Sequence, residues 1–131
     1  MSASPPEVPE GGRSLVPGPD GLLTFRLDGR EFGLPITPVV EIVRHRDATP
    51  VPRARAAVEG ILALRGRMVT IVDLRRPLGL PARQRGSMAH VIVVDTAGDR
   101  FGLVVDSALR VTRRHDGVTV LDLDALLRDL S

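Results

Sequence analysis

The side chains able to do chemistry are scattered through this chain, and their spacing argues against a catalytic centre. His45, His90 and His115 stand in three different segments, without the spacing of metal ligands. There is no cysteine, which removes thiolate nucleophiles, thiolate metal sites and disulfides together. Ser87 and Ser107 have no base at motif distance, and no glycine-rich stretch matches a phosphate cradle. Asp73 and Asp122 each follow an apolar, β-branched run, which suggests a structural cap or turn and not a pair of acid–base carboxylates. His115-Asp116 has the character of a solvated turn. The expectation is a non-enzyme with no metal and no cofactor.

One charged residue asks for another explanation. Arg65 closes the run Gly60-Ile61-Leu62-Ala63-Leu64-Arg65-Gly66, so its guanidinium emerges from apolar ground beside a tight turn. A planar fork of five donors suits recognition of a partner in such a setting. Internal pairing with Glu41 is the structural alternative, and the two roles are compatible.

The elements that must position these residues come from an internal repeat. At a shift of 69 positions, Phe32-Gly33-Leu34 falls on Phe101-Gly102-Leu103, Gly29 on Gly98, Leu22-Leu23 on Val91-Ile92, and Arg44 on Arg113. Ile36, Val39, Val40 and Ile42 land on Val105, Ala108, Leu109 and Val111. Further on, Val69 to Leu74 lies over Val118 to Leu123 at a shift of only 49. His45 to Arg67, 23 residues, separates the two echoing pieces in the first copy; Arg114 to Asp116, three residues, separates them in the second. Repetition of this kind dictates architecture: two similar lobes, the second shortened by 20 residues.

Within each copy the hydrophobic period is two. Leu23, Phe25 and Leu27 alternate with polar residues up to a hairpin signal at Asp28-Gly29, and Glu31 to Ile36 returns. Pro38 to Val43 and Met68 to Asp73 predict further strands, and Arg53 to Val58 a short helix stopped by Gly60. Ala48 to Pro52 is a turn, and Pro81 to Gly86 an Arg-rich loop. The second copy predicts strands at Ala89 to Asp95, Arg100 to Val105, Ala108 to Thr112 and Gly117 to Leu121. A terminal helix follows, capped by Asp122, with a stripe of Leu123, Leu126, Leu127 and Leu130 that is expected to pack over the gap left by the missing stretch. Many short strands at regular spacing indicate an all-β chain of small barrels or a sandwich.

Composition narrows the function classes. At 131 residues the chain is sized for one domain, residues 21–131. Residues 1–20 hold five prolines and three glycines, the make-up of a disordered tail. No apolar run is long enough for a membrane span, and Met1 to Gly12 has no signal-peptide pattern, so the expected location is the cytoplasm without membrane insertion. All 18 basic residues are Arg, interspersed with 16 acidic ones. The net charge of +2 gives only a weak field, and three Phe with no Tyr or Trp offer little for base stacking. Direct nucleic-acid binding is disfavoured.

Five motifs in order and spacing carry a family resemblance: Val39-Val40-Glu41-Ile42, Thr49-Pro50-Val51-Pro52, Gly60 to Gly66, Val72-Asp73-Leu74-Arg75 and Gly102-Leu103-Val104-Val105-Asp106. They resemble the CheW coupling proteins of bacterial chemosensory pathways, over Leu22 to Leu127. The resemblance implies two interlocked small β-barrels with SH3/OB-like lobes, here with the second lobe truncated and a C-terminal helix. It implies a non-catalytic adaptor whose inter-lobe groove takes the cytoplasmic tip of a methyl-accepting chemoreceptor. Its flanks would pair with the regulatory domain of a CheA-type histidine kinase. Carried over by position, the partner-binding residues are Val39, Glu41, Gly60, Arg65, Ala108 and Val111. Ala63 stands where the family usually has Asn, and Ala108 where it has a larger aliphatic residue. The shortened second copy resembles the FrzB type of short coupling protein. It implies loss of one kinase-facing flank, hence a monovalent adaptor that cannot extend arrays and that joins a kinase or a full-length coupling protein. The alternatives are a small β-barrel that binds nucleic acid or only dimerises, and a free-standing regulatory piece of a kinase.

Overall fold

The computed structural model describes residues 21–128, apart from Arg85, Ala97 and His115. The expected tail and Leu130 lie outside the described residues. Nine strands and one short helix run in the order β1 (Leu22–Leu27), β2 (Arg30–Pro35), β3 (Val39–Arg44), β4 (Val58–Leu64), β5 (Arg67–Asp73), β6 (His90–Thr96), β7 (Asp99–Val105), β8 (Ser107–Thr112), β9 (Thr119–Val120) and α1 (Leu123–Leu127).

These strands form two sheets, ordered β8-β1-β2-β9 and β3-β6-β7-β5-β4. Each sheet takes its central hairpin from one copy of the repeat and its outer strands from the other, so the lobes are interlocked. The repeat holds residue by residue. Thr70 pairs with Phe101 and Ile71 with Gly102 in the parallel β5–β7 ladder. Their counterparts Thr119 and Val120 pair with Phe32 and Gly33 in the parallel β2–β9 ladder. Even the irregularities match: the β3–β6 register slips between Val39 and Glu41, and the β1–β8 register slips at Leu109, the counterpart of Val40. A bulge sets two residues against one and bends the strand, so both outer strands are bent at the same place.

Local sequence accounts for the hairpins. Leu27 pairs with Arg30 across Asp28-Gly29, and Leu64 with Arg67 across Arg65-Gly66. All four loop residues have positive φ, from 50° at Arg65 to 78° at Gly66, which is the type I′ turn that matches strand twist. At Gly33 and Gly102 the reason for glycine is space. A Cβ on Gly33 would meet Val118 Cγ1 at 2.9 Å, and one on Gly102 would meet Val91 Cγ1 at 2.7 Å.

The main core lies between the sheets. It joins Leu23, Phe25, Leu27, Phe32 and Leu34 to Val72, Leu74, Ile92, Val94, Phe101, Leu103 and Val105, and it takes in Leu121, Leu123 and Leu127 of the terminal segment. A second cluster, Leu64, Val69, Ile71, Ala89, Val91, Val93 and Val104, lies on the other face of the five-stranded sheet. That sheet is therefore buried on both faces, which is why β6 is a continuous apolar run with no alternation.

Three sequence expectations change. Neither lobe closes through paired strands among the described residues: the four-stranded sheet is open, and the five-stranded one is joined end to end only by an isolated bridge between Thr49 and Ile61. Arg53 to Val58 is not a helix: Ala54 N–H donates to Val51 O and Val58 N–H to Arg55 O in successive turns, and Arg53 has φ of 63°, outside helical range. The same stretch opens directly into β4, and Gly60 does not stop it. Gly60 sits at a register slip between Val58 and Gly60, where a Cβ would fall 2.2 Å from the Thr49 carbonyl oxygen. Finally, α1 buries Leu123 and Leu127 in the main core but leaves Val120 exposed, so it does not cover the outer side of β9.

Candidate partner-binding surface

The candidate site is built on the two outer strands that the repeat makes equivalent. Val40 and Ile42 project from β3 into solvent, and Leu109 and Val111 project from β8. The bulges place these pairs, and Val39 and Val43 behind β3 pack against the two cores. The sequence reading picked out Val111 but missed Val40, Ile42 and Leu109. The repeat aligns Val40 with Leu109 and Ile42 with Val111, but it does not by itself say that they face outward.

The five-stranded sheet curls until its two outer strands meet. Arg65, at the β4–β5 turn, donates from Nε to both carboxylate oxygens of Glu41 on β3 at 3.0 Å. Past β3, Thr49 and Ile61 exchange main-chain hydrogen bonds of 2.8 and 2.9 Å. His45 Nε2 lies 2.9 Å from Glu59 Oε1, with Arg83 Nη2 3.4 Å from the same nitrogen. Glu41 is held mostly under cover while the Arg65 side chain is 76% exposed. Bonding through Nε steadies the stem and leaves most of the side chain exposed, so the internal pairing does not preclude recognition of a partner.

The six residues carried over by resemblance do not form one cluster. Glu41 and Arg65 touch. Gly60 lies on β4, buried against Thr49. Val39 pairs with Val94 at one end of the β3–β6 ladder. Ala108 belongs to the other sheet, and its N–H donates to His90 Nδ1 at 3.2 Å, at the opposite end of that ladder. Val111 follows on β8 opposite Leu23.

The polar residues weighed for catalysis are tied into structure. Asp73 Oδ1 accepts the Arg75 N–H at 3.0 Å, and Asp122 Oδ1 accepts the Ala125 N–H at 3.2 Å as the cap of α1. Ser87 donates to Gln84 O within its loop. His115 lies outside the described residues. No group of three His, Cys, Asp or Glu suited to a metal ion occurs among the described residues.

Sequence reading also missed the role of Arg75. Its side chain, 11% exposed, donates from Nη2 to both oxygens of Asp106 at 3.0 and 2.8 Å and from Nη1 to Pro81 O at 2.7 Å. Asp106 also accepts the Asp28 N–H at 2.9 Å. One guanidinium thus clamps the segment after β5 to the β7–β8 junction and, through Asp106, to the β1–β2 turn.

Two interlocked β-lobes with matched bulges and one shortened copy can now be set beside known proteins. The CheW-like domain family matches residues 21–117. The chain belongs to this family. It is 35% identical over 125 residues to the chemotaxis protein CheW of Rhizobium meliloti, covering 95% of this chain and 72% of that protein. It is 33% identical over 92 residues to the chemotaxis protein CheW of Thermotoga maritima, covering 70% of this chain and 60% of that one. The crystal structure of the scaffolding protein TtCheW from Thermoanaerobacter tengcongensis superposes with a TM-score of 0.66 at 31% identity, over 72% of this chain and 64% of that chain. The chain therefore spans between about three fifths and three quarters of the length of these CheW relatives. Its lobes are CheW lobes, one of them reduced.

Proposed function

We propose that the chain is a non-catalytic adaptor of a bacterial chemosensory pathway, acting in the cytoplasm, that binds the helical cytoplasmic tip of a methyl-accepting chemoreceptor. It links that receptor to the regulatory domain of a CheA-type histidine kinase or to a full-length coupling protein. The observation that carries this reading is the exposed apolar pair Val40 and Ile42 on β3, the strand whose Glu41 holds the exposed Arg65, a pair that the repeat matches with Leu109 and Val111 on β8. Helix recognition draws its energy from a few apolar anchors and one directional polar contact. Glu41 orients Arg65 in the proposed contact; Val39, Gly60 and Ala108 are the further positions that the resemblance alone adds. No helix among the described residues is long and apolar enough to cross a membrane.

The test is titration of the full chain with a soluble receptor-tip hairpin. Arg65→Ala is expected to weaken binding by about 2 kcal/mol, roughly thirtyfold. Unchanged affinity in a variant with an unchanged melting temperature removes Arg65 from the interface.

The shortened lobe supports a further part of the reading: the adaptor is monovalent toward the kinase, in the manner of a short FrzB-type coupler. A closed ring needs every member to offer two interfaces, and this chain has one complete five-stranded flank. Reconstitution with receptor tips and kinase, imaged for ordered arrays, checks it. Rings formed with this protein as the sole coupler overturn monovalency and leave receptor binding intact.

A further inference from the structure

The outer side of β9 is the place where the repeat is broken. In the complete copy, β5 carries β4 on its outer side, with Gly60 opposite Ile71 and Val58 opposite Val72. The matching connection in the other copy, Arg114 to Asp116, is too short to supply a strand. Among the described residues β9 therefore ends its sheet. Leu121 N–H donates to Gly33 O at 2.9 Å, so strand alternation turns the N–H and C=O of Val120 away from β2, toward the open side. The exposure of its side chain shows the cost of the missing neighbour: Val120 is 43% exposed, whereas its counterpart Ile71 is fully buried under β4.

A cleft of about 540 Å³ opens past the C-terminal end of β9, lined by Val120, Leu121, Asp122, Leu123 and Asp124 together with Pro35, Pro38 and Thr96. Asp124 accepts a hydrogen bond from Thr96 Oγ1 at 3.2 Å. The β4–β5 ladder shows how a strand would enter. Asp73 N–H donates to Ala57 O at 2.8 Å where β4 begins, and the counterpart of Asp73 is Asp122. The residues just ahead of β4 in the sequence include Arg53 and Arg55. A strand laid on β9 in the same way brings its leading residues beside Asp122 and Asp124.

We propose that the open side of β9 is a strand-accepting site, taking an extended segment of a partner protein antiparallel to β9. That segment is apolar along the ladder and basic immediately before it. Unpaired edges are templates for strand addition, in which main-chain hydrogen bonds supply affinity and side-chain pockets supply selectivity. Asp122 and Asp124, just past β9, select the basic lead. Neither source within this protein fits as well. A second copy carries Asp116 and Gly117 just ahead of its own β9, an acidic lead where the site calls for a basic one. Residues 1–20 hold five prolines and no apolar run longer than Leu15-Val16, and proline cannot donate to a ladder. The site does not depend on receptor binding, so loss of either reading leaves the other standing.

The experiment uses the full chain, labelled for NMR, and a synthetic peptide with the sequence of residues 53–64 as probe. Expected are amide shifts centred on Val118 to Leu121 and slowed hydrogen exchange at Val120 N–H. Val120→Pro removes the outward N–H at an edge position where proline is tolerated, and it should lower peptide affinity by roughly tenfold or more. A peptide with both arginines replaced by glutamate should bind roughly tenfold more weakly at low salt to the unaltered protein, with the gap narrowing in high salt. Shifts confined to β5, or equal affinity of the two peptides, overturn the proposal. So does a nuclear Overhauser contact in the free chain between Val120 and any of residues 1–20, which makes the tail the occupant. A concentration-dependent dimer abolished by Val120→Pro makes the occupant a second copy and overturns it equally.

Discussion

The two lobes answer the same sequence motif with different degrees of closure. In the five-stranded sheet, Val69, Ile71, Val91 and Val93 are all fully buried in an inner cluster capped by Leu64 of β4. Their counterparts in the four-stranded sheet are Val118, half-buried; Val120, exposed; Leu22, buried; and Thr24, buried with its hydroxyl donating to Arg110 O at 3.2 Å. Losing one strand has thinned the inner cluster from the outer side inward and left the shared core untouched. The lobe survives because its central hairpin buries Leu23, Phe25, Leu27, Phe32 and Leu34 against the complete sheet. A shortened repeat is tolerated where interlocking makes the core common property.

The sharpest way to test this contrast is at the two segments that follow the parallel strands. Arg75 and Asp124 are counterparts, yet Arg75 clamps three chain segments under cover while Asp124, at the surface, accepts from the Thr96 hydroxyl. Removing one partner of a buried pair leaves the other charge uncompensated, so Arg75→Met should cost about 3 kcal/mol. Asp124→Ala should cost less than about 0.5 kcal/mol. Chemical denaturation of the two variants checks the difference. Comparable losses would mean that the truncated lobe is as tightly locked as the complete one.

The strand cores offer the next contrast. Ile71→Ala opens a cavity among Val69, Val91 and Val104, and about 3 kcal/mol is expected. Val120→Ala removes carbon already in contact with water and should change stability by no more than about 0.5 kcal/mol. A large loss at Val120 would show that something covers β9 in solution.

These contrasts also separate what was legible in the chain from what was not. The repeat, its two shifts and the deleted excursion were readable because a two-residue period and a Phe-Gly-Leu landmark survive in both copies, and the register of β5 on β7 and β9 on β2 follows them. β4 was not readable as a strand. Its glycine looks like a stop, and only the approach of the Thr49 carbonyl, 11 residues away, explains it. The Arg75 clamp was hidden for the same reason, since it joins residues 28, 75, 81 and 106 through the fold. At the candidate site, Glu41 and Arg65 were both visible and their contact anticipated as an alternative. The exposed stripe was not, because Val40 and Ile42 have the same composition as a buried strand and differ only in facing outward at a bulge.

The glycines sharpen the comparison further. A Cβ at position 102 would meet Val91 Cγ1 at 2.7 Å and Ile71 Cδ1 at 2.8 Å, both in a fully packed cluster. At position 33 the nearest atom is Val118 Cγ1 at 2.9 Å, on a segment whose outer side is open. Overpacking is relieved only where neighbours can yield, so Gly102→Ala should destabilise by about 2 kcal/mol and Gly33→Ala by about 1 kcal/mol. Thermal melts of the pair measure the room left beside β9. The reverse order would place the looser packing in the complete lobe.

The smallest effect comes from a cross-strand pair whose charges are exchanged between the copies. Asp95 pairs with Arg100 in the β6–β7 ladder, where its counterparts Arg26 and Glu31 pair in β1–β2. Arg100 donates from Nε and Nη2 to the two oxygens of Asp95 at 2.7 and 2.9 Å, and this hydrogen bonding holds the Asp95 carboxyl below its ordinary pKa. In the other copy Glu31 has turned instead to Arg110, whose Nη2 lies 3.2 Å away. A depressed carboxylate contributes stability that is present above its unfolded pKa and is lost as pH falls through the folded one. Arg100→Ala should therefore raise the Asp95 pKa, followed by carbon-13 NMR. The stability gap between this variant and the parent should be widest above about pH 4 and close as the solution is acidified below it. A gap that persists unchanged at low pH would assign the loss to packing of the Arg100 stem against the strand, and the charge exchange between the two copies would then carry no energetic consequence.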